Sequence, residues 1–171
     1  KKLKQFKSKV REMHYVFVLT TEPLYVTVIK CEKKIYQHIK NGGERVMFDT
    51  IHHIAIIGSD YEKSKHFYVD LLGFKVIREN YRKERDDYKI DLACGPQEIE
   101  LFIIKNAPAR VNYPEALGLR HLAFKVESID DTVKELNGKG IETEPVRLDD
   151  YTGKKMTFFH DPDGLPLEIH E

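Results

Sequence analysis

The chain repeats itself at a fixed offset. His121 lies 68 residues after His53 (121 − 53), and Glu168 lies 68 residues after Glu100 (168 − 100). The surroundings agree, since His53-Ile54-Ala55 matches His121-Leu122-Ala123 and Ile99-Glu100-Leu101 matches Leu167-Glu168-Ile169. Self-similarity at one period marks a duplicated structural unit, and it restricts the fold to architectures built from two like halves. The halves are modules 51–105 and 119–171, joined by a linker that carries Pro108 and Pro114.

Each half reads as strand, helix, strand, strand, strand. In the first, residues 51–57 form an apolar, β-branched run. Residues 61–72 place Phe67, Leu71 and Leu72 at helical spacing, with Asp60 as the cap and Gly73 as the stop. Strands are expected at 74–80, 88–94 and 98–105, the last two joined by a turn at Gly95-Pro96. In the second half the same order predicts a strand at 119–126, a helix at 129–137 and strands at 141–147, 155–160 and 165–170. Asp161-Pro162-Asp163-Gly164 supplies the turn before the last strand. The fold class is α+β.

Side chains alternate across a strand, so His53 shares a face with Ile51, Ala55 and Ile57, opposite Ile54 and Ile56. By the same rule Glu100 lies with Glu98 and Phe102, His121 with Ala123, and Glu168 with His170. All four therefore face away from the apolar layer, and a sheet curling around that second face would bring them together. Two imidazoles and two carboxylates suit a borderline divalent ion, Ni²⁺, Zn²⁺, Co²⁺, Fe²⁺ or Mn²⁺, better than Ca²⁺ or Mg²⁺. Four protein ligands around an octahedral ion leave two positions for water or for adjacent substrate oxygens. Glu98 and His170 are candidates for orienting the ligands.

Composition narrows the function further. With 171 residues, 41% of them hydrophobic, the chain can bury one sizeable core or two small half-domains. Zero formal net charge argues against a nucleic-acid partner. The zero is a balance of unlike parts, because residues 1–46 hold 11 Lys/Arg against 4 Asp/Glu and residues 47–171 hold 17 against 24. No apolar stretch reaches the roughly 18 residues of a membrane helix, and the expected location is cytoplasmic. Residues 1–46 read as an N-terminal extension to the domain at 47–171. The extension opens on a charged, fraying segment, continues with β-prone runs at 15–19 and 24–30 and ends in a short helix at 30–40. Met47, directly after Asn41-Gly42-Gly43-Glu44, is a candidate natural start. Cys31 and Cys94 read as ordinary reduced thiols.

The motifs together resemble the vicinal oxygen chelate superfamily, which spans glyoxalase I, bleomycin- and fosfomycin-resistance proteins, methylmalonyl-CoA epimerase and extradiol dioxygenases. The residues that carry the resemblance are His53-Ile54-Ala55-Ile56-Ile57-Gly58-Ser59-Asp60, Phe67-Tyr68 and Leu71-Leu72-Gly73-Phe74. Ile99-Glu100-Leu101, Gly118-Leu119-Arg120-His121-Leu122-Ala123-Phe124 and Asp161-Pro162-Asp163-Gly164 ahead of Glu168 complete them. The segment from Thr152 to Gly164 is similar to one in small glyoxalase I-like bacterial proteins. The resemblance implies a pair of βαβββ modules in a half-open barrel around the metal, in a homodimer with a small-molecule substrate.

A glutamate at the second ligand position resembles glyoxalase I, a lactoylglutathione lyase, rather than the epimerase or the dioxygenases. By that resemblance Glu168 is the main general base and Glu100 its mirror partner. They move a proton between adjacent carbons of a hemithioacetal. Two groups that hold glutathione in that enzyme are replaced here by Ile57 and Ile104. Arg120, Lys154 and Lys155 are candidates to meet an anionic substrate. The alternatives are an iron-dependent extradiol dioxygenase using His53, His121 and Glu168, and a non-catalytic antibiotic-binding protein.

Overall fold

Strand pairing in the computed structural model follows the repeat pair by pair. The structure describes residues 5–10, 13–19, 26–30 and 47–171, the first three stretches as backbone strands. The chain divides into two units, Lys1–Thr50 and Ile51–Glu171.

In the first unit β1 (Gln5–Val10), β2 (Met13–Leu19) and β3 (Val26–Lys30) form an antiparallel sheet in that order, with Gln5 opposite Val18 and Tyr15 opposite Lys30. The fraying start expected at residues 1–4 lies outside the described residues, and β1 begins directly after it. Phe6, Ser8 and Val10 alternate with Lys7 and Lys9, a two-residue period that a count of charges conceals. The turn at 20–23 and most of the helix expected at 30–40 lie outside the described residues.

The second unit contains both modules. The first runs β4 (His53–Gly58), α1 (Tyr61–Lys65) with a following π-helical turn (His66–Leu71), β5 (Lys75–Arg82), β6 (Asp87–Cys94) and β7 (Gln97–Ile103). The second runs β8 (Leu122–Lys125), α2 (Ile129–Gly138), β9 (Arg147–Leu148), β10 (Lys155–His160) and β11 (Pro166–His170). The sheet orders are β4-β7-β6-β5 and β8-β11-β10-β9, so each module pairs its first strand in parallel with its last. Ile54 pairs with Ile99 and Ala55 with Glu100; Leu122 pairs with Leu167 and Ala123 with Glu168. Each second-module pair is the first-module pair moved 68 residues along both strands. The expected two-module βαβββ fold is the fold of the protein.

Local chemistry sets the element ends. The Asp60 carboxylate accepts the Lys63 N–H at 2.9 Å, a cap worth about 1 kcal/mol. Ser128 plays the same part for α2, accepting the Asp131 N–H. After Lys65 the helix widens into the π turn, which places Phe67 and Tyr68 in the core, and Gly73 ends it at φ +80°. The strand expected at 141–147 shrinks to β9. Pro145 has no N–H to donate, so before β9 this segment makes only isolated contacts with β10, the Glu144 N–H to the Phe158 carbonyl and the Thr157 hydroxyl to the Glu144 carbonyl.

One core serves both modules. Ile56, Phe67, Tyr68, Leu92, Ile99 and Leu101 from the first module share a cluster with Ile129, Leu136, Phe159, Leu167 and Ile169 from the second. Leu101 and Leu167 are fully enclosed, and truncating either to alanine would cost about 2–5 kcal/mol. Polar ties cross the same boundary. The Tyr68 hydroxyl donates to Asp161 Oδ2 at 2.8 Å, the Ser59 N–H to Asp163 Oδ2 at 2.9 Å, and Lys139 Nζ to the Leu71 carbonyl at 2.8 Å. Among the described residues no helix is long and apolar enough to cross a membrane.

Candidate metal centre

Because the apolar faces of both sheets meet one core, the opposite face of each sheet looks outward. On the first, Ile51, His53, Ala55 and Ile57 are exposed while Ile54 and Ile56 pack inward, the alternation that the sequence predicts. The four candidate ligands occupy these outward faces, two per module. His53 Nε2 stands 3.8 Å from Glu100 Oε2, and His121 Nε2 stands 3.0 Å from Glu168 Oε2. Among the described residues no three His, Cys, Asp or Glu side chains converge as a metal site. The sequence places each histidine beside its glutamate; convergence of all four within one chain does not occur.

Each pair nevertheless has the chemistry of half a site. Two donors each about 2.1 Å from a common ion, at right angles, are about 3 Å apart, which is the spacing of His121 and Glu168. The Nδ1 atoms are engaged from behind, His53 by His52 Nδ1 at 2.9 Å and His121 by Arg120 Nη1 at 3.1 Å. That leaves Nε2 of each ring turned to its carboxylate.

The two carboxylates keep different company. Glu100 Oε1 accepts from Lys89 Nζ at 2.7 Å, and the same ammonium lies 2.8 Å from Asp91 Oδ1. Asp91 is enclosed and also takes Arg78 Nε at 2.7 Å, while Arg78 Nη2 reaches Glu98 at 3.0 Å. Burial pushes the Asp91 carboxyl upward, but Lys89 and Arg78 outweigh it and hold it below the usual carboxylate range. Asp91 and Glu100 in turn raise the Lys89 ammonium. Across from Glu168 the strand partner is Phe158, where the partner of Glu100 is Asp91. Glu168 has no lysine beside it and is buried, its side chain 9% exposed.

A cavity of about 130 Å³ opens beside His121, lined by Arg120, Arg147, Phe158, His160 and Tyr113 among others. Of the three expected substrate contacts only Arg120 borders it. Lys155 Nζ is bound to Asp130 at 2.5 Å, and Lys154 sits on the exposed turn before β10. Glu98, the ladder partner of His53, is held by Arg78, and His170 Nδ1 lies 2.9 Å from the Glu171 carbonyl. Lys89, Asp91, Arg147 and Phe158 were not singled out by the sequence. Their signal is weak but present, since Lys89, Asp91 and Phe158 fall on strands next to a ligand strand and Arg147 lies one strand further out.

Known proteins share this architecture. The chain is 61% identical over 127 residues to the Bacillus subtilis (strain 168) protein YwkD, covering 74% of this chain and 99% of that protein. It is 53% identical over 122 residues to YaeR of Escherichia coli (strain K12), covering 71% and 95%. A crystal structure of a glyoxalase family protein from Enterococcus faecalis superposes with a TM-score of 0.72 at 63% identity, covering 74% of this chain and all of that one. The family model for the Glyoxalase/Bleomycin resistance protein/Dioxygenase superfamily matches residues 50–169, and the chain belongs to that superfamily.

Proposed function

We propose that the protein is a divalent-metal-dependent lyase or isomerase of glyoxalase I type. It would move a proton between adjacent carbons of a 2-oxoaldehyde–thiol hemithioacetal or a similar substrate with neighbouring oxygens. The observation that carries this reading is the pair of His–Glu couples in one register, His53 with Glu100 and His121 with Glu168. The donor set fits Ni²⁺, Zn²⁺, Co²⁺, Fe²⁺ or Mn²⁺. Bound there, the ion supplies Lewis-acid polarisation of the substrate oxygens.

Two outward faces on one core need a second copy to close on each other. The site is therefore assigned to a homodimer, the first module of one chain facing the second module of its partner. Glu168 is the general base, because it is shielded from water and neither of its oxygens is held by a cation from lysine or arginine. Glu100, held at one oxygen by Lys89, is the anchored ligand. The protein's own contribution is to orient the two carboxylates from β7 and β11 and to keep water from Glu168.

The reading is tested by elemental analysis of the purified protein, followed by a hemithioacetal assay with the metal found. About one ion per site and thioester formation are expected. Absence of turnover with any thiol and 2-oxoaldehyde under Ni²⁺, Co²⁺ and Zn²⁺ would overturn it.

A further inference from the structure

We propose that the cavity beside His121 is a carboxylate-binding subsite, with Arg147 as its principal contact and Arg120 as the second. The substrate is then a small molecule that carries its own carboxylate next to the reacting oxygens. This deepens the reading above and rests on it for the word substrate, while the binding itself stands on the cavity alone.

Three observations converge. At about 130 Å³ the cavity holds on the order of four waters' volume, enough for an acid of a few carbons. The Arg147 guanidinium lies 5.1 Å from the centroid of the Phe158 ring, and that ring meets His121 edge-on at 5.3 Å and 81°. A fixed cation is thereby stacked one ring away from a candidate metal ligand. The third observation is the exchange of Asp91 for Phe158 between the modules. In the first module Asp91 neutralises Arg78 and Lys89 from within. In the second, Phe158 neutralises nothing.

The remaining charges at this face do not satisfy the arginines. Arg147 Nη1 pairs with Glu144 Oε2 at 2.9 Å, but the two side chains are 50% and 43% exposed, and such pairs contribute about 1 kcal/mol or less. Arg120 Nε pairs with Glu115 at 2.7 Å, also in the open. Arg110 is committed to the Leu119 and Arg120 carbonyls and to Asn112. Arg147 therefore keeps most of its five N–H donors for a planar oxyanion, which a guanidinium takes in two parallel bonds. Phe158 and Tyr113 give the carbon end of the ligand an apolar wall.

The test is ligand-observed NMR on the full, metal-free chain with three probes: pyruvate, its neutral amide, and inorganic phosphate. Pyruvate should bind, with the amide weaker by about tenfold or more. Arg147→Met should weaken pyruvate by a similar factor, and Lys83→Met, on the far β5–β6 turn, should not. Equal binding of pyruvate and its amide, tighter binding of phosphate than of pyruvate, or an unchanged affinity in Arg147→Met would each overturn the assignment. Circular dichroism and nickel stoichiometry of the variant check its fold, and Arg120→Gln tests the same cavity if Arg147→Met fails to fold. Pyruvate binding without nickel binding by the wild-type chain would leave the subsite standing and remove the metal reading. Nickel binding without pyruvate binding would do the reverse.

Discussion

Glu100 and Glu168 occupy one position in the repeat and do different things. Strand alternation put both on the outward face, and that much was legible in the sequence. Which cation would reach Glu100 was not, because Lys89 and Asp91 lie on a neighbouring strand whose register depends on a hairpin turn. If Glu168 is the base, Glu168→Gln lowers turnover by about 10²–10⁴-fold in a steady-state assay and leaves the far-ultraviolet spectrum unchanged. A buried acid elsewhere gives a second expectation. Burial holds the Asp161 carboxyl above its ordinary value, even though the Tyr68 hydroxyl and the Leu165 and Asp163 N–H groups donate to it. The native state therefore binds this proton more tightly than the unfolded chain. The associated stability is fully present below the unfolded value of about 3.8 and is lost as pH rises through the native value. Asp161→Asn keeps an acceptor for Tyr68 and should flatten that part of a denaturation-versus-pH curve; an unchanged slope would refute the assignment.

Most elements were legible because their signals are local. The Asp60 cap, Gly73 and the two-residue period of the strands all act within a few residues. The misreading at 141–147 has the same character. A β-branched run outvoted the missing donor of Pro145. The π turn had no local signature, since it arises from packing Phe67 and Tyr68 against the other module. Gly58 at the end of β4 shows how close the packing is inside the first module. A Cβ there would stand 2.5 Å from Ser64 Oγ and 3.2 Å from Ile103 Cδ1. Gly58→Ala should lower stability by about 1–3 kcal/mol, and Ser64→Ala in the same chain should restore part of it. Additive losses in chemical denaturation would show that Ser64 is not what the new methyl meets.

At the scale of the molecule, the sequence showed two like halves and could not show which face of one half looks at which face of the other. The core decides this by taking the apolar side of both sheets. The consequence for the proposed site is testable by complementation. A chain with His53→Ala and a chain with His121→Ala are each defective, but a dimer of the two has one site with both histidines intact. An equal mixture refolded together should recover about a quarter of the wild-type metal content and activity, because half the dimers are mixed and each has one good site of two. No recovery would mean that each site belongs to a single chain. The shared core has a historical side as well. A lone module would expose the very surface that Leu101 or Leu167 now occupies, and below about 60 residues it would have little else to hold it. If the repeat arose by doubling a gene, its ancestor must already have lived as a pair, and the boundary between the modules is that old partnership made covalent.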